Sequence, residues 1–141
     1  MQTFLPFCNF NLSAKCLDYR RLGKQRVEAY QIINVLEGKG KRNKNGKIAW
    51  ENHPAVKMWK GYELALKHYF NCILSEWIRR GYNNTMSFYD ININNIIKPS
   101  WLGDNAFHNS HKSNLLRKDP NYYSEFRNKV PNNLEYVWPV K

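Results

Sequence analysis

Apolar residues recur at three- and four-residue steps in two long intervals of the chain, and residues that start and stop helices bound each interval. The first runs from Ser13, a candidate N-cap, to Gly38, which sits where a C-terminal glycine belongs, with only Gly23 between them as an interruption. On a helical projection Leu12, Tyr19, Leu22, Ala29, Tyr30, Ile33 and Leu36 gather on one side, and Arg20, Arg21, Lys24, Glu28 and Gln31 on the other. The spacing predicts one long helix with a core-facing stripe and a cationic face holding a single carboxylate, Glu28.

The second interval opens at Asn52-His53-Pro54, where Asn52 serves as the cap and proline is tolerated in the first turn. Val56, Trp59, Glu63, Leu66, Phe70, Ile73 and Trp77 then repeat at helical steps up to Arg79-Arg80-Gly81, a basic last turn and a stop. Asp104 to Arg117 reads as a third helix ended by Asp119-Pro120, and Tyr122, Tyr123 and Phe126 predict one more short helix before Pro131.

The remaining segments lack helical period. Residues 1–11, broken by Pro6, cannot begin a helix and must lie across the core. Residues 82–100, rich in Asn and Ile, read as an extended connection with a short helical turn at Ser87 to Asn92, and the tail Leu134 to Lys141 ends extended. Nothing repeats, and nothing alternates with period two for long. The expected fold is all-α: one compact domain over residues 1–141, built from two long helices, shorter C-terminal helices and irregular segments.

Composition changes this picture mainly through charge. Lys and Arg total 22 against 11 acidic residues, a formal charge of +11 and a pI near 9.7. Such a field attracts polyanions and makes their binding salt-dependent, so nucleic acid is the leading partner. A membrane surface is the rival, but no apolar run approaches the ~20 residues of a spanning helix, and the N-terminus lacks a basic leader. The expectation is a soluble, monomeric intracellular protein of cytoplasm, nucleoid or virion. The loop Gly38 to Lys47, with Lys39, Lys41, Arg42, Lys44 and Lys47, reads equally as solvated chain or as a phosphate contact. Cys8, Cys16 and Cys72 are odd in number and lack C-x-x-C spacing, so they point to buried free thiols and not to a disulfide framework or zinc knuckle.

Several side chains carry two readings. Glu28 is either an i,i+4 surface partner of Lys24 or a catalytic carboxylate. Arg26 projects into the apolar stripe between Leu22 and Tyr30, where a guanidinium needs an internal carboxylate or a phosphate to reach. His108 and His111 share a helix face but make only half a metal site, so no metal is expected. With Lys112, Arg117 and Lys118 they suit phosphate contacts, against the alternative of a solvated cationic helix. Asp18 reads as a helix-terminal charge. Trp101 and Trp138 are either core or base-stacking groups.

With these elements placed, the chain resembles the pyrimidine-dimer DNA glycosylases, the phage dimer-specific endonucleases. The likeness rests on the first helix with Tyr19-Arg20, Leu22 and Arg26-Val27, on Val35 to Lys39, on Arg79-Arg80-Gly81-Tyr82, on Gly103-Asp104 to His108 and on the aromatic C-terminus. It looks especially like a subgroup with motifs that read here Arg21 to Tyr30, Asn52 to Trp59, Phe107 to Pro120 and Tyr136 to Pro139. The resemblance implies an all-α domain in which the N-terminus and first helix meet damaged or modified duplex DNA. It also implies a chemistry: an N-terminal α-amine attacks the deoxyribose C1′, a Schiff base forms, and β-elimination cuts the strand without metal or organic cofactor. An α-amine suits this role because its reference pKa of ~7.7–8.0 leaves a neutral fraction near neutrality.

Two departures from the family pattern shape the candidate site. Classical members expose a small second residue after losing the initiator Met, whereas Gln2 is bulky, so Met1 is expected to stay and offer its own amine. The family's catalytic glutamate falls on Arg21 or Gly23, neither acidic, which leaves Glu28 as the nearest carboxylate. The expected catalytic set is therefore Met1, Gln2 and Glu28. The expected DNA-binding set is Arg20, Arg21, Lys24, Arg26, His108, His111, Lys112 and Arg117. A non-catalytic DNA-binding protein of the same fold is the competing reading, and a basic RNA-binding module is a third.

Overall fold

A computed structural model describes residues 1–140; Lys141, the last residue of the tail, lies outside the described residues. Among these residues there are five α-helices, two 3-10 turns and no strand: α1 (Phe10–Cys16), α2 (Tyr19–Leu36), α3 (Pro54–Lys57), α4 (Glu63–Arg79) and α5 (Asn105–Lys118), with 3-10 turns at Ile93–Asn95 and Ser124–Phe126. The all-α expectation holds. No helix is long and apolar enough to cross a membrane among the described residues.

Both long predicted helices are broken, for different reasons. The first splits at Leu17-Asp18, where both residues are extended and Asp18 caps α2 by accepting from the Arg21 N–H. The Tyr123 hydroxyl holds this break: it accepts from the Asp18 N–H at 3.0 Å and donates to the Asp18 carboxylate. Burial works against ionisation of Asp18, yet the Tyr123 and Arg21 hydrogen bonds outweigh it and hold its pKa below the ordinary carboxylate value. Ser13, expected as a cap, is instead buried inside α1, where it exchanges hydrogen bonds with the Phe7 backbone. Asn9 is the true cap, so residues 10 and 11 are helical after all.

The second split lies at Gly61, whose φ of +85° belongs to the left-handed region that glycine tolerates. It separates α3 from α4, and His53, not Asn52, caps α3. The predicted short helical turn at 87–92 does not form, and a 3-10 turn stands instead at Ile93–Asn95.

The buried face of the first helical region differs from the predicted stripe. Leu12, Tyr19 and Tyr30, assigned to the core stripe, are 51, 52 and 44 % exposed. The buried side of α2 is Leu22, Gln25, Ala29, Ile32 and Ile33, which packs against α4, while α1 crosses α4 as well. The core between them is aromatic: Trp59, Tyr69, Phe70, Phe107, Tyr123 and Phe126 are all fully buried. Their polar atoms find partners inside. The Trp59 indole donates to Thr3 Oγ1 at 3.1 Å, and the Trp101 indole to the Met58 carbonyl at 2.9 Å. The three cysteines are free, and Cys8, expected to be buried, is exposed.

Candidate active site

Residues 2–5 run through the core as an extended segment, so their backbone groups need partners that no sheet provides. Two helices supply them. From α2, fully buried Gln25 accepts from the Phe4 N–H at 3.0 Å and donates to the Gln2 carbonyl at 2.8 Å. The Tyr69 hydroxyl on α4 shares its one proton between the same Gln25 oxygen at 2.6 Å and the Phe4 carbonyl at 2.9 Å. From α5, His111 Nδ1 accepts from the Leu5 N–H at 3.0 Å, while His108 Nδ1 lies 2.7 Å from the Leu5 carbonyl. Because His108 Nε2 accepts from the Gly103 N–H at 2.9 Å, its proton must sit on Nδ1, donating to Leu5.

This scaffold fixes the amino end beside Glu28. The Gln2 N–H donates to Glu28 Oε2 across 3.4 Å, and Gln25 Nε2 donates to the same oxygen at 3.0 Å. Lys24 Nζ stands 3.9 Å from the other oxygen, one turn back along α2. The Glu28 side chain is only 14 % exposed, and that exposed part opens onto a cleft of about 950 Å³. Met1, Gln2, Glu28, Arg20, Arg21 and Lys24 all line this cleft.

The other walls come from elsewhere in the chain: His53 from the α3 cap, Arg80 and Tyr82 from the end of α4, Lys118 from the last turn of α5, Tyr122 just after it, and Tyr136 and Trp138 from the tail. His53 Nδ1 accepts from the Ala55 N–H at 3.0 Å, and its ring lies edge-on between Trp50 and Trp138. Burial, assisted by the nearby α-ammonium of Met1, lowers the His53 pKa and favours the neutral ring. Arg80 pairs with buried Glu76 at 2.7 Å and donates to the Leu17 carbonyl at 2.8 Å, tying α4 to the α1–α2 break.

Five of the expected phosphate-contacting residues, Arg26, His108, His111, Lys112 and Arg117, lie away from this cleft. His108 and His111 are 6 and 1 % exposed; the helix face they share points inward, and both rings serve the Leu5 backbone, so neither is free to meet phosphate. Burial, with the neighbouring His108, pushes the His111 pKa down to about 3. Arg26 pairs with no carboxylate among the described residues: its guanidinium stacks 4.0 Å from the centre of the Trp77 ring, and burial lowers its pKa. Gly23 allows this stack, because a Cβ there would stand 2.9 Å from the Trp77 ring. Lys112 lies over Phe7 and Phe126. Arg117, though exposed, donates to the Asn132 and Leu134 carbonyls and to Asn114, fastening the tail to α5.

Gln25, His53, Arg80 and Tyr136 were given no site role from the sequence, although all four lie within the family-like motifs quoted there, and Gln25 stands as a polar residue between Leu22 and Ala29 on the side of the helix that turns inward. Among the described residues no group of three or more His, Cys, Asp and Glu side chains is placed to hold a metal ion.

The sequence model of the pyrimidine dimer DNA glycosylases matches residues 1–90, which span α1 to α4 and all of the cleft except Lys118, Asp119, Tyr122 and the tail aromatics. Searches of curated proteins and of solved structures return no match. On the matched 90 of its 141 residues, the chain belongs to the pyrimidine dimer DNA glycosylase family.

Proposed function

We propose that the protein removes a damaged or modified pyrimidine from duplex DNA through the amine at its amino end, and then opens the strand by an abasic-lyase step. The observation that carries this reading is the shared cleft of Met1, the Gln2–Glu28 hydrogen bond and three cationic side chains. DNA glycosylase activity is what the family does; the amine, the Schiff base and the lyase step are our reading.

In this reading the Met1 nitrogen attacks C1′ as the bond to the base breaks, and the base leaves with its electron pair. The Glu28 carboxylate stabilises the positive charge that develops on the sugar. Ring opening leaves an imine between the amine and C1′. Glu28 then takes a proton from C2′, and the C3′–O3′ bond breaks with the phosphate as leaving group. Support for Glu28 over the family's usual positions is local: Arg21 is engaged by Asp18 at 3.1 Å, and Gly23 faces Trp77. Arg20, Arg21 and Lys24 face the strand backbone, where fixed positive charge lowers the cost of approaching phosphate. The cleft is an open groove, so a nucleotide must leave the stack before C1′ can reach the amine. One domain acting as a monomer suffices for this scheme.

Borohydride reduction tests it. Incubation with a duplex carrying one thymine dimer or one abasic site should leave the protein covalently attached to DNA. No adduct with either substrate, despite salt-sensitive binding, would leave a DNA-binding protein without this chemistry.

A further inference from the structure

The cationic loop after α2 is folded, and it leads to an aromatic side chain that stands outside the core beside the amino end. The Asn43 N–H donates to the Lys47 carbonyl at 2.8 Å, and the Ala49 N–H donates to the Lys41 carbonyl at 2.7 Å. Arg42 closes the turn by donating to the Gly46 carbonyl at 2.8 Å. The loop rests on α2 through Gly40, where a Cβ would stand 2.7 Å from Ile48 and 3.1 Å from Val35. Glu37 pairs with Lys39 and Lys67, and Lys41, Lys44 and Lys47 have no carboxylate partner among the described residues.

Trp50 follows this loop. It is 59 % exposed, more than any other Trp, Tyr or Phe among the described residues. Its φ of +72° is the one positive φ outside glycine among them, a backbone conformation that bulky residues rarely adopt. Met1 lines both the cleft and a second cavity of about 310 Å³, whose walls include Trp50, Lys39 and Lys41. On its other side the Trp50 ring meets that of His53, a cleft residue, with 5.8 Å between centres.

We infer that Trp50 is a wedge, which enters the duplex and fills the space left when the reacting nucleotide leaves the stack, while Lys41, Lys44 and Lys47 hold the phosphates alongside. The inference rests on the duplex substrate and the unstacking set out above. A nucleotide that leaves the stack strips its neighbours of a contact face, and an indole covers such faces whatever the base sequence. A wedge must stand clear of its own fold, sit on a fixed backbone and lie close to the reacting sugar. Trp50 meets these needs through its exposure, its folded loop and the cavity it shares with Met1. Its apolar surface, left in water in the free protein, is covered in that complex.

Trp50→Ala removes an exposed ring and should melt with the unsubstituted protein. Its affinity for a thymine-dimer duplex and its single-turnover borohydride trapping should each fall by about 10-fold, with affinity for undamaged duplex unchanged. When the strand opposite the dimer is mismatched over several bases, the stack is already open, and trapping should return to within about twofold of the unsubstituted protein. Lys41→Ala and Lys44→Ala should each reduce the slope of log affinity against log salt by about 0.9. A Trp50→Ala protein that keeps the full preference for dimer over undamaged duplex, or that loses as much on the mismatched substrate as on the paired one, would overturn the wedge. If the unsubstituted protein gives no adduct, the amine chemistry falls, and the ratio of dimer to undamaged affinity in the two proteins still decides the role of Trp50.

Discussion

The Gln2 N–H donates to the Glu28 carboxylate across 3.4 Å, so the first peptide unit of the chain and a side chain 26 residues later meet at one point on the cleft wall. The pair stands on Gln25, which touches both partners. A terminus that would otherwise fray is thereby placed beside a carboxylate.

Glu28→Gln removes the charge and keeps an oxygen able to accept from Gln2. Turnover on dimer-containing duplex should fall at least 10²-fold. Duplex affinity should change by less than twofold, since the deleted charge is not a phosphate contact. Equal loss of binding and turnover would reduce Glu28 to a scaffold residue paired with Lys24.

Gln25→Leu strips the Phe4 N–H, the Gln2 carbonyl and the Tyr69 hydroxyl of a buried partner at once. Unfolding by urea should show a loss of about 3 kcal/mol, and hydrogen exchange at Phe4 should accelerate. An unchanged midpoint would mean that the amino end is held by other contacts.

How much of this was legible in the sequence depends on whether the signal is local. The start of α5 is legible, because its Asp104 cap lies one residue before the helix it caps. The break at Leu17-Asp18 is not, because Tyr123, 105 residues away, stabilises it. Within α2 the buried face centres on Leu22, Gln25, Ala29 and Ile33, so Tyr19 and Tyr30, at the edge of the predicted apolar stripe, stand outside it, and Gln25 falls inside it although it is polar. The histidines of α5 misled for a related reason. A periodic pattern records polarity, and it cannot show that the polar partner is a buried backbone such as that of Leu5. The cationic side of α2 was read well, since exposure of Arg20 and Lys24 follows from their long charged side chains alone.

The buried histidines give the fold a pH limit. His111 titrates near 3 when folded and near the ordinary imidazole value when unfolded, and burial lowers His108 as well. The unfolded chain therefore binds more protons between those values, so stability rises with pH in that window. It should be fully present above about pH 6.5 and fall by about 1.4 kcal/mol per pH unit for His111 as pH drops toward 3. Chemical denaturation at pH 7, 6, 5 and 4 checks this. His111→Gln, which retains an acceptor for Leu5, should flatten the profile.

Arg20→Ala and Lys24→Ala should each weaken binding to undamaged and damaged duplex alike. Each should reduce the slope of log affinity against log salt by about 0.9 if one phosphate contact is lost. Arg117→Ala, whose guanidinium is spent on tail carbonyls, should leave that slope unchanged and act on stability instead. Fluorescence anisotropy across a salt series separates the two behaviours.

The central claim is that the amine at the amino end is the reacting group. Proteolysis of the borohydride-reduced complex, followed by mass spectrometry, reads this directly. The account predicts the sugar remnant on the α-nitrogen of the N-terminal peptide that carries Met1 and Gln2. A remnant on a lysine side chain such as Lys24 or Lys118, or no remnant at all, would contradict it.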